Sequence, residues 1–247
     1  RAGVAIATPN KRANTLELPF FENLRTLSRD GAPYEYETTV GAGLPVLSTL
    51  HNLLRTGDRV HRVEGVLSGT LGFVLHRLMN GSSFSEAVRE AKERGYSEPD
   101  PREDLSGEDV ARKLLILARE MGHRVERSDV QVESLIPQEL RNVPLEAFMD
   151  RLSMVDEEWD ERVRECKENG QRLQYLGTIT TDSISVGVKA VDEGSPFARL
   201  RGTENMVAFT TDRYDDTPLV VQGPGAGKAV TSAGLLADVV KAARLMA

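Results

Sequence analysis

Gly95–Lys113 reads GYSEPDPREDLSGEDVARK, and the way this stretch must fold sets the order of everything around it. Pro99 and Pro101 fix their own φ and push Glu98 and Asp100 toward extended backbone, so Glu98-Pro-Asp-Pro is a stiff, acid-bearing loop rather than a helix. Ser106 then has the chemistry of an N-cap, with Asp109 three residues on as a capping-box-like partner. Val110, Leu114, Leu117 and Met121 follow at helical spacing, and Gly122 stands where a helix-ending glycine stands. The spacing predicts a helix from about Gly107 to Met121. On it Asp109 and Lys113, four apart, share one side at the border of the apolar stripe, and Arg112 and Arg119 point away into solvent. A lysine so placed, beside Asp109 and within reach of Glu98, is a candidate proton donor, because burial and neighbouring charge can move an amine's pKa toward working pH. The plainer reading is an ordinary surface pair four residues apart, worth ~0.3–0.5 kcal/mol.

The rest of the chain supplies the frame. Its 247 residues are 40% hydrophobic and 28% charged, enough for one sizeable core or two smaller ones. A formal charge of −7 with no basic face argues against nucleic acid or an anionic membrane surface as partner. No apolar run approaches the ~20 residues of a membrane span. A single cysteine, Cys166 in a charged helical segment, excludes an internal disulfide framework and fits a reducing compartment.

Val4–Thr8 has the character of a buried strand broken by Pro9-Asn10-Lys11, and a short helix is expected from Thr15 through Leu27, ending near Asp30-Gly31. Tyr34–Val40 alternates as a strand into Gly41-Ala-Gly-Leu-Pro45, followed by a helix through Val46–Leu54. Read as a dinucleotide fingerprint this glycine turn fails, because Val46 takes the third glycine position. Val60–Leu67 is strand-like and Ser68–Gly72 opens a helix. Phe84–Arg94 is an amphipathic helix that delivers the chain to the Gly95 loop. Helices are expected around Leu145–Met154 and Glu157–Lys167, and strands at Arg172–Thr180, Ile184–Ala190 and Met206–Thr211 pair in one sheet. Trp159 reads as a packing anchor, and the four histidines show no metal-ligand spacing. Pro218–Gln222 is a strand, Gly223–Gly227 a turn and Val230–Leu245 a helix with Leu235, Leu236, Val239 and Val240 on its apolar side. That turn departs from the phosphate-loop pattern at Gln222 and Ala229, and from the dinucleotide pattern at Lys228.

Four motifs and one further segment carry a resemblance, in one family's order along the chain. GYSEPDPREDLSGEDVARK resembles the signature of homoserine dehydrogenases; TPNKRA (8–13), YETTVGAGLP (36–45) and PLVVQGPGAGKAVTSAG (218–234) are similar to further segments of that family, and Ser68–Gly72 is similar to another, where the family often has asparagine at the position of Gly72. The resemblance implies NAD(P)H-dependent reduction of L-aspartate 4-semialdehyde to L-homoserine. It assigns proton transfer to Lys113 or Lys11, substrate binding to Glu98 and Asp109, and cofactor contact to Lys11, Gly95 and Gly227. It also implies a monovalent cation, Na⁺ or K⁺, held through main-chain oxygens at Glu37, Val40, Ala42 and Leu44. It implies a homodimer or higher homo-oligomer, in the cytoplasm or, in a plant, the plastid.

The expected fold is α+β: a mixed or antiparallel sheet covered by helices, with terminal remnants of a Rossmann-like α/β nucleotide domain. The boundaries are 1–30 for the first remnant, 31–217 for the substrate and dimerisation domain, and 218–247 for the returning turn and helix. The phosphate-binding strand–glycine-turn–helix of a dinucleotide fold is not in this sequence, so the expectation is a portion of a longer enzyme. The alternative is a non-catalytic dimerisation module that keeps the substrate-domain fold.

Overall fold

The structure, a computed structural model, describes residues 3–29 and 31–246. The chain begins with β1 (Ile6–Ala7), α1 (Arg12–Thr15), α2 (Leu18–Arg29), β2 (Tyr34–Glu35) and α3 (Val46–Arg55). β1 and β2 pair in parallel as a two-stranded ribbon. Next come β3 (Val60–Val66), α4 (Gly69–Met79), α5 (Phe84–Glu93), α6 (Arg102–Leu105), α7 (Glu108–Glu120) and β4 (Val130–Val132). α8 (Leu145–Arg151), α9 (Asp156–Glu168), β5 (Gln171–Ile179), β6 (Ile184–Asp192), β7 (Glu204–Thr211), β8 (Leu219–Pro224) and α10 (Lys228–Met246) complete it.

A six-stranded sheet in the order β4-β6-β5-β3-β7-β8 forms the floor, antiparallel except for the parallel β4–β6 pair. Period-2 alternation sends Leu173, Tyr175 and Ile179 of β5 and Val207 and Phe209 of β7 to one face, under α4, α7 and α9. Gly177 interrupts that row for a reason: a Cβ there would stand 2.8 Å from Leu114, so its absence lets α7 sit down on β5. On the other face Val66, Leu176, Met206 and Ala208 are covered by Phe197 and Leu200. Trp159 is buried and stacked on Phe84 at 4.8 Å, the anchor its surroundings suggest. Cys166 is buried too, and burial pushes its thiol up.

This is the α+β class expected, with the strands near 172–180, 184–190 and 206–211 in one sheet. Five local expectations are corrected. Tyr34–Val40 is not a continuous strand; after Glu35 it turns through a 3₁₀ helix at Glu37–Thr39, because the Glu37 carboxylate swings back to accept from Leu47 N (2.7 Å) and Ser48 N (2.8 Å) and caps α3. The helix expected from Thr15 to Leu27 is two helices, the second opened by Glu126, whose Oε1 accepts from Leu18 N at 2.8 Å. Asp30, its expected end, lies outside the described residues.

Ser106 ends α6 and reaches α7 from one residue further out than an N-cap, its Oγ accepting from Glu108 N at 3.2 Å, while Asp109 does no capping. The N-cap position belongs to Gly107 at φ +73°, where a Cβ would meet Tyr175 Oη at 2.0 Å. Arg119 is not in solvent but 4% exposed; it donates to the carbonyls of Asn14, Leu16 and Val125 and pairs with Glu126 at 2.9 Å. α7 is buried on nearly every side, since α1 and α3 pack against it opposite the sheet.

α10 runs back over β1, β2 and the Glu37–Thr39 turn. The side it buries is not the apolar one expected: its buried residues are Gly234, Asp238 and Ala242, small enough at 234 and 242 for close approach, while Leu236, Val239, Val240 and Leu245 face outward. Among the described residues no helix is long and apolar enough to cross a membrane.

Candidate active site

The first turns of α7 bring Asp109 and Lys113 onto one side, and the loop after β1 brings Lys11 to the same place. Lys113 Nζ stands 2.9 Å from Asp109 Oδ2, and Lys11 Nζ 3.2 Å from Asp109 Oδ1, so one carboxylate bridges two amines. Lys113 also donates to Leu67 O at 2.6 Å, at the end of β3. An ammonium has three donors, and these two contacts leave one for a ligand.

Burial pulls the Lys113 amine below the usual lysine range; Asp109 opposes that fall and Lys11 adds to it. Burial pushes the Asp109 carboxyl up, but the two amines outweigh it and hold it below the usual carboxylate range. Half of the Asp109 side chain is open to solvent, against 11% of Lys113, so the pair has a wet side and a dry side. A cavity of about 710 Å³ opens on the wet side, lined by Lys11, Asp109, Arg12, Arg112 and Arg127 among others. Arg127 is engaged by Glu108 at 2.6 Å.

Glu98 is exposed and lines neither this cavity nor any other described one; what ties it to the site is its backbone, whose N–H donates to Asp104 Oδ2 at 2.8 Å. Asp104 is the residue that sequence reasoning missed. Its other oxygen lies 2.8 Å from Thr70 Oγ1, which is itself 2.6 Å from Tyr96 O, and its charge supports the Lys113 ammonium. Asp104 thus fastens the proline-stiffened loop to α4 beside Lys113. Nothing in the spacing of that stretch distinguishes it, since Glu103 shares its place in α6. Asp100, by contrast, is gripped by Arg102 through Nε at 3.0 and 3.1 Å and Nη2 at 2.6 Å, and that hydrogen bonding holds its carboxyl below the usual range.

Gly95 has φ +70° as the residue that ends α5, its N–H bonded to Lys92 O and that of Tyr96 to Ala91 O. Gly227 has φ +120° at the head of α10, with open space where a Cβ would stand. In the Glu37–Leu44 loop, Gly41 (φ +82°) and Ala42 (φ +54°) are successive left-handed residues, and Ala42 is the one non-glycine so placed among the described residues. No donor among the described residues reaches Val40 O or Ala42 O. His51 and Tyr36 serve a different site, meeting Glu120 at 2.7 and 2.6 Å. Among the described residues no group of three or more His, Cys, Asp or Glu side chains is placed to hold a metal.

A carboxylate held between two amines, one buried and one at the wall of an open cavity, is an arrangement that can place and move a proton, the work of an acid–base site. The family is narrower. The homoserine dehydrogenase family model matches residues 45–240. The chain is 45% identical over 245 residues to the chloroplastic bifunctional aspartokinase/homoserine dehydrogenase 1 of Zea mays, covering 98% of this chain and 27% of that protein. It is 41% identical over 252 residues to the homoserine dehydrogenase of Paracoccidioides brasiliensis, covering 97% and 68%. A hyperthermophilic archaeal homoserine dehydrogenase solved in complex with NADPH superposes with a TM-score of 0.73 at 25% identity, over 98% of this chain and 65% of that one. The chain therefore belongs to the homoserine dehydrogenase family, oxidoreductases of amino-acid biosynthesis, and spans about a quarter of the length of the fused relatives.

Proposed function

We propose that this chain supplies the substrate-binding and acid–base part of a homoserine dehydrogenase, which reduces L-aspartate 4-semialdehyde to L-homoserine on the route to threonine, methionine and isoleucine. A reduced nicotinamide, NADPH or NADH, supplies the hydride when bound. The archaeal relative's complex with NADPH supports that choice of cofactor; Lys11 at the cavity wall and the open backbone at Gly227 are two of the contacts assigned to it. Gly95 has a turn to make as well, and stands as the third cofactor contact.

The protein's own part is to place and move a proton. The aldehyde oxygen becomes an alkoxide as hydride arrives at its carbon, and it takes a proton from Lys113 or Lys11. Lys113 is the better donor: its amine is held below the ordinary lysine range, so it gives up a proton more readily than a solvated lysine. Asp109 orients both amines and accepts from the substrate's amino or hydroxyl group, with Glu98 as the second carboxylate. The cation loop of Glu37, Val40, Ala42 and Leu44 fits a hard monovalent ion, through the undonated carbonyls of Val40 and Ala42. The division at 1–30, 31–217 and 218–247, homodimerisation, and a cytoplasmic or plastid location complete the reading; the chloroplastic maize relative supports the last.

The observation that carries this reading is the bridged carboxylate, with amines at 2.9 and 3.2 Å. A non-catalytic scaffold has no use for a buried second amine, 11% exposed, on a carboxylate that already pairs with Lys11 at a cavity wall. Calorimetric titration with L-homoserine is expected to show saturable binding by the wild type and loss of it in Asp109→Ala. Equal binding by the two proteins would favour the scaffold.

A further inference from the structure

The helix that carries Gly227 at its head holds, near its middle, a buried carboxylate that the Glu37 backbone N–H answers on one side only. Asp238 is 3% exposed and its Oδ2 has no hydrogen-bond partner; Thr38, 6% exposed and packed on the same helix, has an unpartnered Oγ1. The charged groups facing Asp238 are Glu37, Glu35 and Lys241. Lys241 Nζ is taken by Glu35 at 2.6 Å, and the Glu37 carboxylate is taken by the N-terminus of α3. Burial, with acids on two sides, pushes the Asp238 carboxyl up to about 6, and a cation beside it would offset that cost of keeping it charged.

One turn earlier on the same face, Gly234 brings the α10 backbone against the Glu37–Leu44 loop. A Cβ there would stand 2.6 Å from Thr38 Cγ2, 2.9 Å from Gly43 Cα and 3.2 Å from Ala42 O. Gly43 mirrors this contact, its missing Cβ lying 2.6 Å from Val230 O. The undonated carbonyl of Ala42 therefore lies under α10, one turn along the helix from a carboxylate with one unpartnered oxygen, and that of Val40 belongs to the same loop. Oxygen-only donors with a net negative charge select a hard cation.

We propose that Asp238 is the counter-charge of the monovalent cation read into the Glu37–Leu44 loop, so that Na⁺ or K⁺ staples α10 to that loop and thereby sets the position of the glycine turn at the helix head. This rests on the cation part of the proposed function and goes beyond it in naming the residue and the consequence. Removing the charge weakens the ion without touching a residue assigned to substrate or proton transfer.

The test is ²³Na line broadening and thermal melting of the chain in sodium, potassium and choline chlorides at equal ionic strength. The wild type is expected to broaden the sodium signal and melt higher in Na⁺ or K⁺ than in choline. Asp238→Asn is expected to bind Na⁺ at least about ten-fold more weakly, and to melt in choline no lower than the wild type. Wild-type affinity in Asp238→Asn overturns the proposal while leaving the cation loop standing. Absence of any cation-specific effect in the wild type overturns both, and homoserine binding decides the dehydrogenase reading separately. Should the variant not fold, hydrogen exchange on the wild type serves: amides 231–241 must be better protected in Na⁺ than in choline, and equal protection overturns the proposal.

Discussion

The two ends of α7 both hold buried charge, and they hold it differently. At the C-terminal end every group is matched: Arg119 reaches three carbonyls and Glu126, while Glu120 is met by Tyr36, His51 and Arg25. At the N-terminal end two amines share one carboxylate, and the carboxylate is half open to solvent. The saturated end can only hold the fold together, since each donor already has its acceptor. The unsaturated end keeps a donor and an excess of positive charge facing a cavity, which is what a site needs when an alkoxide and a substrate carboxylate are to be received.

Four variants or conditions break or sharpen that contrast. The largest effect belongs to Lys113→Met in the enzyme that carries this chain: homoserine turnover falls about 10²–10⁴-fold, while stability to urea falls by no more than about 1–3 kcal/mol, the cost of leaving Leu67 O without its donor, because Asp109 keeps Lys11 and its solvent. A larger loss of stability would make the N-terminal end as structural as the other. Arg119→Met is the converse. It strands carbonyls of the α1–α2 junction and costs about 3–5 kcal/mol in urea melts; a cost below about 1 kcal/mol would mean that saturation there is incidental.

Gly107→Ala follows, at about 1–3 kcal/mol by the same measurement. The position needs φ +73° and its Cβ would collide with Tyr175 Oη, which donates to Glu133 O. A neutral result would show that the reactive end floats rather than being pinned to the sheet. The smallest effect is in pH dependence. Lys113 binds its proton less tightly folded than unfolded, so the folded state holds fewer protons between its lowered pKa and the ordinary lysine value. Wild-type stability measured relative to Lys113→Met therefore rises with pH through that window and levels off above it. A falling difference would place the amine in a charge-stabilising site and remove it as a proton donor.

The contrast also explains what could be read from the sequence. Asp109 and Lys113 are four apart on one helix, so their meeting is local and visible in the spacing. The strands near 172–180, 184–190 and 206–211 alternate cleanly because one face is covered by helices. Arg119 was unreadable for the opposite reason: its partners are residues 14, 16, 125 and 126, and an arginine on a helical wheel is assigned to water by default. The same holds for Glu37, whose capping of α3 breaks a strand that its own alternation suggests, and for Asp104, whose partners Thr70 and Glu98 are set by how α4 meets the loop. Glu98 shows the limit of motif reading, since the stiff loop was legible and the direction of its side chain was not.

The ribbon formed by β1 and β2 is two residues wide on each strand, too little to persist by itself. What lies across it is α10, a helix far along the chain. The ribbon is therefore held together by an element distant in sequence rather than by its own pairing. A truncation that removed α10 would be felt first, as proteolytic nicking, around Ile6–Ala7 and Tyr34–Glu35, some 200 residues away in sequence.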